Sequence, residues 1–152
     1  MKSVLLTLVL TLFAFSAAQA RLGETLQEII QRYGTGELSD MQRQPGAKTY
    51  KYRKDDIQIE VVIDQGKSIW EIYQRKNTSG QFPEADIKNI LAGYKEQKRN
   101  WRMDRDVQNR WEATGKPKFE AYLWPGHEDF FCVKDIAACA ALDKAVGSSK
   151  AF

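Results

Sequence analysis

Residues 49–75 read TYKYRKDDIQIEVVIDQGKSIWEIYQR, and the fold turns on this stretch. Ile57, Ile59, Val61 and Ile63 alternate with Gln58, Glu60 and Asp64. Successive side chains of a strand point to opposite faces, so a period of two marks a half-buried strand. Upstream, Tyr50 and Tyr52 alternate with Thr49, Lys51 and Arg53. Downstream, Trp70 and Ile72 share one face while Ile69 and Tyr73 share the other. Lys54-Asp55-Asp56 and Asp64-Gln65-Gly66-Lys67 supply the turns, being rich in residues that accept tight backbone geometry. The expectation is a three-stranded antiparallel meander with one wet face.

Working outward, Leu22, Leu26, Ile29, Ile30 and Tyr33 fall on one helical stripe, and Gly34 is placed to stop it. Residues 35–47, with Gly36, Pro45 and Gly46, read as a polar connector. Beyond the meander, Pro83 opens a second helix with the stripe Ile87, Ile90, Leu91 and Tyr94. Residues 100–109 are charged and carry no clear period. Short strands are expected at Trp111–Ala113, 118–123 and Phe130–Lys134, with turns at 114–117 and at Trp124-Pro125-Gly126-His127. Asp135 is placed to cap a third helix running to about Val146.

The expected fold class is therefore α+β, an antiparallel sheet of five to six strands with helices packed on one face. The order suggests a tandem αβββ repeat, since Tyr33 and Tyr94 each close a helix stripe and are followed by strand aromatics, Tyr50 and Trp111. One domain, residues 21–146, is expected, with a flexible tail over 147–152.

The N-terminus reads as an address. Lys2 precedes an apolar run from Val4 to Phe15, and Ala18-Gln19-Ala20 has the small-x-small form of a signal-peptidase site. Residues 1–20 are expected to be a cleaved signal peptide, which places the protein in a periplasm or outside the cell. Arg21 rather than cysteine follows, so no lipid anchor is expected. No later apolar stretch reaches the ~20 residues that span a bilayer. The 23 basic and 20 acidic residues nearly balance, which gives no global pull toward nucleic acid. In an oxidising compartment Cys132 and Cys139 are expected to form a disulfide between the last strand and the last helix.

The helix ending in Arg32-Tyr33-Gly34, followed by a tyrosine-rich strand, an alternating strand and a glycine-containing hairpin, resembles small exported bacterial proteins of unknown function. The tandem αβββ layout is similar to that of secreted beta-lactamase-inhibitor proteins and of small outer-membrane assembly lipoproteins. The resemblance is one of layout, and it carries over no functional residue.

Several chemistries lack their residues. His127 is the single histidine, so sites that need two are excluded. No G-x-S-x-G, G-x-x-x-x-G-K-[ST] or G-x-G-x-x-G is present, and Asp55, Asp56 and Glu60 lack the spacing of a calcium loop. No cofactor or metal is expected. The reading is a non-catalytic, exported binding module whose partner is another protein, met through Tyr50, Tyr52, Trp70 and Trp124, because aromatic residues dominate binding hot spots. Two alternatives stay open. One is a small cell-envelope hydrolase using paired carboxylates, which requires an acid with a raised pKa. The other is an anionic-surface binder using the basic segment Lys95–Arg110, chiefly Lys95, Lys98, Arg99 and Arg102, with Trp101 and Trp111 interleaved.

Overall fold

The structure, a computed structural model, describes residues 21–76 and 80–149. The expected signal peptide, residues 1–20, lies outside them, as do the last three residues of the expected tail. Among the described residues the chain forms three α-helices and one antiparallel sheet. Helix α1 (Leu26–Tyr33) precedes β1 (Glu37–Leu38), β2 (Lys48–Lys54), β3 (Ile57–Asp64) and β4 (Lys67–Arg75). Helix α2 (Glu84–Gly93) precedes β5 (Trp101–Met103), β6 (Arg110–Ala113), β7 (Phe119–Trp124) and β8 (His127–Asp135), and α3 (Ile136–Ser149) follows.

The sheet has eight strands, not five or six, in the order β1-β2-β3-β4-β8-β7-β6-β5. The two strands that sequence reading missed, β1 and β5, are two and three residues long and lie at the two edges. Neither is long enough to display an alternation. The order divides into two halves, each a helix followed by four strands. They meet where β4 pairs with β8, Ile72 opposite Cys132.

Helix α1 starts at Leu26 rather than Leu22. Gly23 has φ +86° and its N–H donates to the Ser68 carbonyl, so residues 21–25 run beside the β3–β4 turn. Thr25 caps the helix: the Glu28 N–H donates to its Oγ1, and the Glu28 carboxylate accepts from the Thr25 N–H at 2.8 Å. This reciprocal cap satisfies two amides that the helix leaves unpaired. Gly34, φ +84°, ends the helix as expected. Ile29 is fully buried, which stabilises the docked helix by roughly 2–3 kcal/mol.

The helices do not all pack on one face. Ile29 of α1 and Ile87, Ile90 and Leu91 of α2 pack on the odd-numbered strand residues, among them Ile59, Val61, Tyr73, Leu123 and Phe131. Helix α3 lies against the opposite face, where Ala138, Cys139 and Leu142 meet Val62, Trp70, Ile72 and Cys132. The cause is in the central pair. Trp70, Ile72 and Cys132 make β4 and β8 apolar on both sides, so both sides need cover. A bulge between Val62 and Ile63 also sends Ile69 to this second cluster. Asp135 caps α3 as expected, its Oδ1 accepting from the Ala138 N–H at 3.0 Å. The helix continues to Ser149 instead of fraying at 147, because glycine and serine cost a helix only about 0.5–1 kcal/mol each.

The stretch read as a polar connector is part of the cover. Ala47 is buried, and Gln44 reaches α3, donating to Asp143 Oδ1 at 2.6 Å. Arg43 Nε lies 2.5 Å from Glu60 Oε2 on β3. Residues 39–47 and α3 together cover the second face.

Candidate functional site

Strand β7 ends at Trp124, and the two-residue turn Pro125-Gly126, with Gly126 at φ +78°, leads to His127. The register between β7 and β8 shifts between Leu123 and Trp124. Trp124 belongs to the cluster on the α3 side. Its ring stacks on Trp70 at 5.6 Å and meets Phe130 edge-on at 6.4 Å. His127 meets Phe130 edge-on at 6.1 Å. The 39–47 segment carries the Arg43 guanidinium to 5.9 Å from the Trp124 ring centre. Arg43, Trp124, His127 and Phe130 line a hollow of about 210 Å³.

A second hollow of about 420 Å³ also has Trp124 in its wall, with Val107, Arg110, Tyr122, Pro125 and Lys134. Here Glu120, itself buried, accepts from Arg110 on one carboxylate oxygen and from Lys134 on the other, both at 2.7 Å. Lys134 Nζ also lies 5.2 Å from the Tyr122 ring centre. The floor is thus charge-paired and held by the protein's own groups.

The four aromatics expected at one surface lie on two faces. Tyr52 is buried on the α1 side, its ring 5.5 Å from that of Tyr33. Tyr50 is half-buried against the same cluster. Trp70 is buried beneath Trp124. Of the four, Trp124 lines the two hollows described above. Arg43, Tyr122, His127 and Phe130 were missed. Strand parity already placed Tyr122 on the side of Lys118 and Glu120, so an aromatic on a polar face was the available signal. Nothing local marks Arg43, whose neighbours Glu60 and Trp124 are distant in sequence.

The basic residues do not converge. Arg99 lies over the Phe119 ring at 4.6 Å and donates to the carbonyls of Thr114 at 3.2 Å and Lys116 at 2.8 Å, holding the β6–β7 turn. Lys98 is exposed at φ +58°. Arg102 lines a shallow hollow with Asp104, Asp106 and Glu112, acids that offset its charge. The side chain of Lys95 lies outside the described residues.

Cys132 and Cys139 are free and buried in one cluster, not bridged. Cys139 Sγ rests 3.8 Å from the Ile69 carbonyl. Burial pushes the Cys132 thiol up to about 12 and the Cys139 thiol up to about 11.

Sequence reading also passed over Glu71. It sits on β4 facing the two helices and has no exposed surface. Its Oε2 accepts from Tyr73 Oη at 2.8 Å and Tyr94 Oη at 2.7 Å, while Oε1 has no hydrogen-bond partner. Burial raises this carboxyl to about 7 against an ordinary value of 4.5, and the two tyrosines offset only part of the rise. Burial raises Glu24 as well, against the opposing effect of Arg32, with which it forms an ion pair. An acid near neutrality has the proton affinity of a general acid or base. Glu71 has no exposed surface in this conformation, so its carboxyl is closed to bulk solvent.

Among the described residues no cluster of three or more His, Cys, Asp or Glu is arranged to hold a metal ion. No described helix is long and apolar enough to cross a membrane. No protein family, curated protein or solved structure matches the chain.

Proposed function

We propose that this is an exported, non-catalytic interaction module that binds another protein through the face around Trp124. The observation that carries the reading is the position of Trp124 between two hollows, backed by Trp70 and flanked by arginine. Tryptophan, tyrosine and arginine supply most binding hot spots. A ring already packed on one side loses little freedom when a partner covers it. The pairs at Glu120 and at Arg43–Glu60 surround it with charged groups already held in place. Export rests on the leader-like residues 2–20. The two helix-plus-four-strand halves extend the tandem layout and keep the similarity to secreted inhibitor proteins as an analogy of architecture, which by itself assigns no activity.

The test is retention of a partner from an extract of the exported compartment, identified by mass spectrometry and compared across variants. Trp124→Ala should lower retention at least tenfold, while Gln31→Ala on the exposed side of α1 leaves it unchanged. Equal retention by both variants would refute this face as the binding surface.

A further inference from the structure

We infer that the hollow formed by Arg43, Trp124, His127 and Phe130 receives an aromatic side chain of the partner, with a carboxylate beside it. This inference rests on the reading of the Trp124 face as the binding surface and adds the chemistry of the bound segment.

The size comes first. A hollow of about 210 Å³ is smaller than the 300–1,000 Å³ typical of pockets that enclose a whole small molecule. It has room for one side chain. Its walls select an aromatic one. Trp124 and Phe130 are steeply inclined, at 64°, and His127 stands nearly perpendicular to Phe130, at 84°. Rings in such orientations offer both faces and edges, which a third ring meets by offset stacking or edge contact.

The charge comes next. Arg43 is half-buried, and its Nε is committed to Glu60, which is only 6% exposed. Among the described residues no acceptor is bonded to its Nη1 or Nη2. A guanidinium held by one edge presents its remaining N–H groups as a rigid fork, which matches the two oxygens of a carboxylate. Among the described residues none that lines this hollow is acidic, and Glu60, the acid already on Arg43, is held at Nε and leaves the Nη edge to an incoming carboxylate.

Continuity with the second hollow favours a chain segment over a free small molecule. Trp124 lines both hollows. The second has its cations already paired, with Glu120 bonded to Arg110 and Lys134 and with Asp104 and Glu112 further from Arg110 at 3.8 and 3.6 Å. It suits the uncharged backbone of the same segment as it crosses Trp124.

The experiment titrates three blocked dipeptides, acetyl-Phe-Asp-amide, acetyl-Phe-Asn-amide and acetyl-Ala-Asp-amide, while following the Trp124 indole N–H by NMR. The Phe-Asp probe should shift that signal saturably. The Phe-Asn probe should bind at least fivefold more weakly, and the Ala-Asp probe should leave the signal in place. Arg43→Gln should abolish the difference between Phe-Asp and Phe-Asn, and Arg43→Lys, which keeps charge without the fork, should restore only part of it. Equal binding of Phe-Asp and Phe-Asn to the unaltered protein would overturn the inference, as would a Trp124 signal that none of the probes moves. If the probes fail while Trp124→Ala still abolishes partner retention, this inference falls and the binding-face reading stands. If the probes behave as expected while retention is unaffected by Trp124→Ala, the binding-face reading falls, and the partner-segment inference with it.

Discussion

Replacing Glu71 with glutamine should flatten the dependence of stability on pH in a defined window. The folded protein holds the Glu71 carboxyl at about 7, whereas its ordinary value is 4.5. Below about pH 4.5 the group is protonated in both the folded and the unfolded chain and contributes no slope. Between about 4.5 and 7 the unfolded chain has lost the proton and the folded chain keeps it, so unfolding releases a proton. Stability then falls as pH rises, by about 1.4 kcal/mol for each tenfold change in proton concentration. Above about 7 the folded group ionises too and the slope disappears. The loss across the window is on the order of 3 kcal/mol, large beside the 5–15 kcal/mol of an ordinary domain. Glu71→Gln keeps an acceptor for Tyr73 and Tyr94 and carries no charge at any pH. The two proteins should therefore be of similar stability at pH 5, and the variant should be the more stable at pH 8. Urea unfolding followed by tryptophan fluorescence, repeated in half-unit steps from pH 4.5 to 8, measures the difference. Taking the difference removes the titration of groups that do not interact with Glu71; Glu24, whose charge helps to raise Glu71, enters the difference through that coupling. A constant gap between the two proteins across the range would refute the reasoning.

The two thiols yield a second prediction. Both are buried with raised proton affinity, and the thiolate is the reactive form. A disulfide reagent at pH 8 should modify neither within minutes in the native protein and both at the rate of unfolding in urea; rapid native labelling would contradict their placement. Gly36 provides a third. A Cβ there would lie 2.5 Å from the Tyr52 ring, so Gly36→Ala should cost about 1–3 kcal/mol. Combining it with Tyr52→Val should cost less than the sum of the two single changes. Strict additivity in denaturant melts would show that the close approach is not what constrains residue 36.

The legible parts of the fold were those whose cause is local. The alternation Ile57–Ile63, the stripe of α1, the turns at 64–67 and 124–127 and the Asp135 cap each depend on residues within a few positions of one another. The two edge strands were not legible for the opposite reason. Glu37–Leu38 and Trp101–Met103 are strands because β2 and β6 offer them partners, not because of a pattern in their own side chains. The second face was not legible because alternation on β3 does not mark a boundary between dry and wet. Val62, Trp70, Ile72 and Cys132 occupy the same side of the central strands as Glu60. A strand can alternate in polarity near one end and be buried on both faces in the middle.

The same distinction explains the candidate site. Trp124 was legible because the turn after it leaves the end of β7 at a rim. The partners that give Trp124 its character come from elsewhere: Trp70 from β4, Phe130 from β8 and Arg43 from a segment whose one proline and two glycines promised only a connection. Arg43 is fixed by Glu60, two strands further along the chain, and Glu60 looked like one more polar residue on a wet face. Its burial to 6% follows from the cover that α3 and residues 39–47 place over the sheet. Once the second face is covered, a carboxylate on it must find a cation, and the cation that reaches it is the one that overhangs Trp124. The hollow is thus a consequence of burying both faces of the β4–β8 pair. An Ile72→Thr change that loosens α3 from that pair should therefore weaken probe binding at Trp124 without altering any residue that lines the hollow. Unchanged binding by a variant whose α3 amides exchange faster would separate the site from the cover and refute the link.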